Sequence, residues 1–410
     1  MNILQLCNKV PFPLKDGGSI AILNLARGFV SGGNSVTILA MNTAKHYCKL
    51  EDIPVEITSS INIIAVDIDA SVSKIEALNN LFFSKLPYTG SRFFSNDYKS
   101  KLISLLNNNI YDIVQLEGLY LTSYISTIRE NSNAIISLRA HNIEHEIWQR
   151  VANGTNNIFK KFYLNNLVKR IYKYKLGILN KYDVLVPITD RDLEVYNKLG
   201  NKKSFQVSQT GIFINELIPQ PEKAEYPSLF AIGAMDWAPN QEGLIWFINN
   251  VWGDILQKYP DVKFYIAGRN APAWIEDVLK GTKSVEYIGE VDDAHEFINS
   301  KAIMIVPLLS GSGMRIKIIE GMALQKCIIT TSVGVEGIGA THGKDILIAD
   351  DNNSFNKAIS NVLDDRELHD NLSKNACSFI EENFNNLTIS DKLAEFYKSE
   401  LILNSKTNNE

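Results

Sequence analysis

The chain has 410 residues, of which 45% are hydrophobic and 21% charged, and its formal net charge is −5. It is too long for one ordinary core and fits two domains, and its mild acidity, with no recognised module, argues against a nucleic-acid partner. Cys7, Cys48, Cys327 and Cys377 form no C-x-x-C pair and lie in or beside apolar runs, so neither a disulfide framework nor a zinc knuckle is expected.

Taken from the N-terminus, the opening "MNILQLCNKVPFPL" lacks the basic leader and long apolar segment of a signal peptide. No later window reaches the roughly 18 apolar residues of a spanning helix. The expected location is the cytoplasm, with peripheral attachment to the inner face of the cytoplasmic membrane as a further option. Asn2–Cys7, Ser35–Met41, Ile61–Val66, Tyr111–Leu116, Ala134–Leu138 and Tyr182–Ile188 are short apolar runs rich in β-branched residues, the pattern of strands buried on both faces. Helical spacing separates several of them, as at Ile20, Leu23, Ala26, Arg27 and Val30. Alternating strands and helices predict an α/β, doubly wound parallel sheet.

After the connector "LIPQPEKAEYPS", Leu217 to Ser228, the pattern restarts with "LFAIGA", "VKFYIAG", "SVEYIG", "AIMIVPL", "CIITT" and "DILIA", interrupted by helical stretches such as Gln241–Gln257 and Ile316–Ala323. The prediction is two Rossmann-like domains in tandem, 1–215 and 216–386. A last helix over 387–401, able to cross back to the first domain, and a disordered tail over 402–410 complete it. The sequence carries 24 basic and 17 acidic residues up to Asn215, against 17 and 29 after it, so the two parts differ in sign. Such asymmetry suits surfaces with separate partners, or simply solvated faces.

In open α/β sheets, ligands bind beyond the carboxyl ends of the strands, and the loops that follow the strands carry the candidates. "NKVPFPLKDGGS" places Gly17 and Gly18 before a helix, where backbone amides can approach an anion or form an ordinary cap. "LRAHNIEHEIW" gathers Arg139, His141, Asn142, Glu144, His145 and Glu146, a polar rim suited to a hydroxylated substrate, with His141 nearest the strand. The His-x-x-x-His spacing lacks a third ligand, and no metal is expected.

The stretch 150–181 holds Arg150, Lys160, Lys161, Lys169, Arg170, Lys173, Lys175 and Lys181 with no acidic residue, interleaved with aromatic side chains and an apolar stripe. Such a helix either packs on its own sheet or lies on an anionic membrane surface. "PITDRD" offers Asp190 near a strand end, although Thr189 and Asp192 spell a helix cap. "DID" at Asp67–Asp69 ends an early strand and is read as no metal site. Trp237 and Trp246 could stack near a donor base, but core packing is the expectation for them.

The most informative segment is "LLSGSGMRIKIIEGMA", Leu308 to Ala323. Glycines free the backbone, Arg315 and Lys317 bring charge suited to a diphosphate, and Glu320 offers a carboxylate to ribose hydroxyls.

On this segment, together with "PFPLKDGGSIAILNLARGF", "RAHNIEHEIW", "PITDRDLEVYNKLG", "GAMDWAPNQEGLIWF" and "YIAGRNAP", the chain resembles the retaining glycosyltransferases of family 4. The resemblance implies the GT-B fold, two facing Rossmann-like domains with the active site in the interdomain cleft. It also implies a nucleotide-sugar donor, UDP-sugar favoured, as co-substrate, and a glycan or lipid-linked acceptor, with no separate cofactor and no metal. His141, Arg315, Lys317 and Glu320 become the implied catalytic set. Gly17, Gly18, Gly233, Arg269, Gly311, Ser312, Gly313 and Met314 become the implied donor-binding positions.

Two departures stand out. Ser312 occupies the place of the first glutamate of the family's E-x7-E signature, whose second glutamate is similar to Glu320. The basic pair usual after the first strand of the second domain is absent, and Met235 and Asn240 stand in that neighbourhood. A nucleotide-sugar epimerase of the same fold and a non-catalytic nucleotide-sugar-binding partner are the alternatives.

Overall fold

The computed structural model describes the chain except residues 15, 72, 74–76, 78, 81–83, 85, 312 and 408–410. The chain divides into two units, one formed by Met1–Gly211 with Asn386–Glu410 and the other by Ile212–Asn385. The division falls a few residues before the expected boundary at 215.

In the first unit, β1 (Asn2–Cys7), β2 (Ser35–Thr43), β3 (Ile61–Ile68), β4 (Ile113–Glu117), β5 (Ile135–Ala140), β6 (Val184–Pro187) and β7 (Ser204–Phe205) form a sheet in the order β3-β2-β1-β4-β5-β6-β7. Every pairing is parallel, with Ile3 opposite Val36 on one side and Ile113 on the other. Alternation along β1 explains its burial. Leu4 and Leu6 face one apolar layer with Leu39, Val114 and Tyr98, while Ile3 and Cys7 face a second with Leu23, Phe29 and Tyr397. Both faces are covered, as an all-parallel sheet requires.

The main helices of this unit are α1 (Gly17–Ser31), α2 (Asn96–Asn108), α3 (Ile125–Asn131), α4 (Glu144–Asn153), α5 (Ile158–Ile178) and α6 (Asp190–Lys198). Thr189 Oγ1 accepts from the Asp192 amide at 3.1 Å, so the "TDRD" stretch is the cap of α6. The "DID" carboxylates are also used locally, Asp67 accepting from Asn42 and Asp69 from the Ser71 amide.

The second unit repeats the plan with β8 (Glu225–Ile232), β9 (Lys263–Ala267), β10 (Val285–Gly289), β11 (Lys301–Val306), β12 (Cys327–Thr330) and β13 (Leu347–Ile348), in the order β10-β9-β8-β11-β12-β13, all parallel. Its helices include α7 (Ala238–Phe247), α8 (Ala273–Gly281), α9 (Ala294–Asn299), α10 (Ile316–Ala323), α11 (Asn352–Asp364) and α12 (Arg366–Asn383). The linker reading ends early, because Glu225–Ser228 already belong to β8. In each sheet the winding reverses beside the first strand, between β1 and β4 and between β8 and β11, which is where such sheets open a crevice.

The last helix, α13 (Asn386–Thr407), belongs to the first unit and packs on α1. A Cβ at Gly28 would stand 2.4 Å from Ser390 Oγ, so only glycine permits this approach. Asn386 donates to Asn24 O at 2.7 Å, and Asn24 in turn donates to Gly211 O at 2.9 Å. The helix runs on to Thr407, so 402–407 continue it where the sequence suggests a disordered tail. The four cysteines are free thiols.

Candidate functional site

In the second unit β11 ends at Val306, and the chain passes through Leu308, Gly311 and Gly313 before α10. Gly311 (φ 128°) and Gly313 (φ 80°) adopt backbone conformations that favour glycine. The turn closes on what lies under it. A Cβ on Gly311 would come within 3.1 Å of the Arg315 guanidinium and 3.3 Å of the Trp237 ring. Trp237 is 40% exposed, so the core expected for it is wrong. Its loop, tied to the glycine turn, holds it at the surface, whereas Trp246 does pack inward, edge-on to Phe355.

Arg315 is buried, donating to Gly313 O and, at 3.4 Å, to Val333 O. It braces the turn from within. Met314 is half-buried in the same turn, and Ser312 lies outside the described residues. Helix α7 locks the base of the turn, because Gly243 approaches so closely that a Cβ there would be 2.0 Å from Pro307 O. Ser310 Oγ also donates to Glu242 at 2.9 Å.

Lys317 reaches across from α10 to the end of β8. Its ammonium donates to Asn240 Oδ1 at 2.9 Å and to Ile232 O at 3.3 Å, and a Cβ on Gly233 would meet it at 3.3 Å. Gly233, Asn240 and Lys317 thus share one place. The cation missing from the first loop of this domain is supplied from the helix after β11. Burial, and then the neighbouring Arg315, lower the Lys317 pKa to about 8. Arg269 follows β9 and is half-buried, its carbonyl accepting from the Met235 amide at 2.8 Å.

Glu320, one turn further along α10, is partly exposed and lies 3.8 Å from His295 Nε2 at the start of α9. The Glu320 carboxylate, the strongest influence, raises the His295 pKa against burial, with Asp293 and Glu216 adding to it. The imidazole stands beside the carboxylate and fixes its position.

In the first unit, Gly17 and Gly18 form the first turn of α1. Asp16 caps it, accepting from the Ser19 amide at 3.0 Å, and Lys9 pairs with Asp16 at 2.5 Å. Burial favours the neutral acid, but Lys9 and the Ser19 donors together hold Asp16 below its ordinary pKa. The helix starts at Gly17, so both glycines lie in its first turn and not before it, and the Ser19 amide is taken by the protein's own carboxylate.

His141 follows β5, and its Nε2 lies 2.5 Å from Glu117 Oε2 at the end of β4. Glu117 is buried and also meets Gln115, Gln5 Nε2 at 3.3 Å and Arg139 at 3.5 Å. Burial alone would raise its pKa, but Arg139 and then His141 and Gln115 lower it, keeping the carboxylate ionised. Arg139 donates onward to Ala21 O of α1 at 3.0 Å, and Tyr397 of α13 donates to Gln115 at 2.7 Å. An ionised, fixed acceptor on one ring nitrogen sets the tautomer of His141 and aims the other nitrogen.

His145 stacks edge-on to Tyr172. Burial first, and then Lys175, lowers its pKa. Among the described residues no group of three or more His, Cys, Asp or Glu is placed to hold a metal ion.

The basic stretch is divided by the fold. Lys175 is buried in an ion pair with Glu144 at 2.8 Å and lies over the Tyr196 ring, and Arg170 donates to Asn80 and the Leu86 carbonyl. These two serve the interior, whereas Lys160, Lys161, Lys169, Lys173 and Lys181 are exposed.

Sequence reading missed Glu117 and His295 as members of the site, and named Asn240 only as standing where a basic residue is usual. Glu117 directly ends a strand and precedes Gly118 (φ 107°), so the strand-end rule applied to "QLEG" could have found it. Nothing local marks His295 beyond the Asp293 cap of its helix.

Residues 226–365 match the family model described as glycosyl transferases group 1, so the second unit carries a domain of that kind. A Klebsiella pneumoniae protein described as an uncharacterized 44.6 kDa protein in the cps region is 28% identical over 305 residues, 70% of this chain and 74% of its own. HepE of Anabaena, solved with UDP, is similar with a TM-score of 0.68 at 12% identity, over 97% of this chain and 100% of its own. Its complex with UDP-glucose gives 0.65 at 13%, over 97% and 100%. Sucrose-phosphate synthase of Thermosynechococcus elongatus gives 0.71 at 15%, over 98% and 100%. The fold is that of the GT-B glycosyltransferases, with two Rossmann-like domains.

Proposed function

We propose that the chain is a retaining glycosyltransferase of the family 4 type. In this reading it moves a sugar from a UDP-sugar to a hydroxyl of a glycan or lipid-linked acceptor in cytoplasmic assembly of a cell-surface polysaccharide. The observation that carries the reading is the glycine turn with Arg315 beneath it and Lys317 drawn to Asn240 and Gly233, inside the glycosyl transferases group 1 domain. A fold shared with proteins solved with UDP and UDP-glucose favours the donor class, and the cps-region relative favours the polysaccharide setting.

In this reading the turn's amides and Lys317 receive the diphosphate, Arg315 holds the turn in shape, and Glu320, oriented by His295, accepts from the ribose. His141, aimed by Glu117, contacts the donor sugar. The bond between the anomeric carbon and the phosphate oxygen breaks as the acceptor oxygen bonds to the same face, and the acceptor proton passes to the departing phosphate. Catalysis is then electrostatic stabilisation and positioning, without metal or cofactor.

The test is release of UDP from a panel of UDP-sugars with and without extracted lipid and glycan acceptors. Acceptor-dependent release, reduced at least about a hundredfold in Arg315→Ala, is expected. Isomerisation of the donor without acceptor would assign an epimerase, and binding without turnover would assign a non-catalytic partner. Unchanged kinetics in Arg315→Ala would remove the turn from the mechanism.

A further inference from the structure

Helix α5 carries two stripes at helical spacing. One is buried and consists of Leu164, Leu167, Val168, Ile171, Lys175 and Ile178. The opposite one runs through Ile158, Phe162, Lys169, Lys173 and Leu176, spaced by four, seven, four and three positions along the helix. A helix with one face in a core is expected to be polar on the other. Here the outward face begins with bare apolar side chains, Ile158 80%, Phe159 87% and Phe162 73% exposed. Lys160 and Lys161, also exposed, fall in line with the buried stripe at helical spacing, so the cations that share the outward face are Lys169 and Lys173.

The exposure of this tip is not left over from poor packing. Asn157 caps the helix, accepting from the Lys160 amide at 2.9 Å, so the first turn is formed and holds Ile158, Phe159 and Phe162 outward. The two cations that the interior needs, Arg170 and Lys175, are turned inward. The other lysines of the helix, Lys160, Lys161, Lys169 and Lys173, are exposed, and 150–181 contains no acidic residue.

We infer that α5 is a docking surface for an anionic phospholipid bilayer, with Ile158, Phe159 and Phe162 entering the headgroup region and Lys169 and Lys173, on the same face, meeting the phosphates. Both halves of the pattern point to this occupant. Apolar tips alone would suit any hydrophobic partner, and lysines alone any polyanion, but an apolar tip followed by lysines on the same face matches an interface that is apolar below and negatively charged above. A second copy of this chain fits worse. A two-fold contact would set the same lysines against one another, because each subunit presents the same patch.

The inference does not depend on the proposed transfer reaction, since docking is measured with no sugar donor present. The test is flotation of the full chain with phosphatidylglycerol-containing vesicles and with pure phosphatidylcholine vesicles, at low and high salt. Binding to the first and not the second is expected, weakened by salt as the lysines are screened.

Phe159→Ser with Phe162→Ser should lower partitioning at least about tenfold, and Lys169→Glu with Lys173→Glu by a similar factor. Both pairs should keep wild-type circular dichroism and melting, because the replaced side chains are exposed. Equal binding to both vesicle types, no binding to either, or wild-type partitioning of the Phe pair would overturn the proposal. So would a dimer that dissociates in the Phe pair, which would assign the face to self-association.

Discussion

Lys317→Met separates what the lysine does for the fold from what it does for the ligand. In the folded chain the ammonium loses its proton near pH 8, whereas in the unfolded chain it keeps it to about the ordinary 10.5. Between those values the unfolded state binds more protons, so this group makes stability rise with pH across the window from about 8 to 10.5. Each unit of displacement corresponds to about 1.4 kcal/mol, which sets an upper bound of about 3 kcal/mol on the cost of keeping the charge inside at neutral pH. The side chain is only half-buried although its ammonium points inward to Asn240 and Ile232, so about 1–2 kcal/mol is the realistic figure.

Wild type should therefore gain about 1–2 kcal/mol relative to Lys317→Met between pH 7 and about pH 10. Urea unfolding followed by tryptophan fluorescence reads this directly, because Trp237, Trp246, Trp252 and Trp274 lie in the second unit and only Trp148 in the first. Calorimetric titration with UDP reads the other half. Affinity should fall by up to about tenfold per pH unit above 8 in the wild type, and be weak at every pH in the variant. A wild-type-minus-variant difference that does not change with pH, or UDP affinity indifferent to Lys317, would refute the placement of a displaced lysine at the donor phosphates.

Glu117→Gln leaves Arg139 buried without its countercharge, so chemical denaturation at pH 7 should show a loss of about 3–5 kcal/mol from the first unit. The wild-type contribution is full above the ordinary carboxylate pKa of 4.5 and is lost as pH falls through the lower folded value, and equal stability of both proteins at pH 7 would contradict the pairing. Gly243→Ala drives a methyl into Pro307 O and should cost about 1–3 kcal/mol, with the helix and the glycine turn pushed apart and UDP affinity reduced. Unaltered melting and affinity would show that α7 does not set the turn.

Much of the fold is legible in the sequence because a strand buried on both faces announces itself by a run of β-branched residues. Asn2–Cys7 has the same limits in both readings, and so does the helix Ile316–Ala323. The partnerships were hidden by distance along the chain. His141 and Glu117 meet because β5 pairs with β4 in a register that sets Glu117 opposite Arg139, and a register is a property of two strands, not of one segment.

Lys317 meets Asn240 for a similar reason, since β8 and β11 are neighbours in the sheet but far apart in sequence. The basic stretch misled in the opposite direction. Its eight cations look equivalent in the sequence, and only burial divides Lys175 and Arg170 from the exposed lysines. Trp237 likewise carries no local mark that the chain beneath it is a glycine turn.

Because α13 closes against α1 at Gly28 and sends Tyr397 beneath Gln115, the first unit is built from segments that precede and follow the second along the polypeptide. On the ribosome the order of completion is therefore the reverse of the order of synthesis. The continuous segment 212–385 can finish folding as it emerges, while the unit begun before it waits, its apolar α1 face uncovered, for α13 to be translated. A premature stop anywhere before Asn386 thus damages the part of the protein already made.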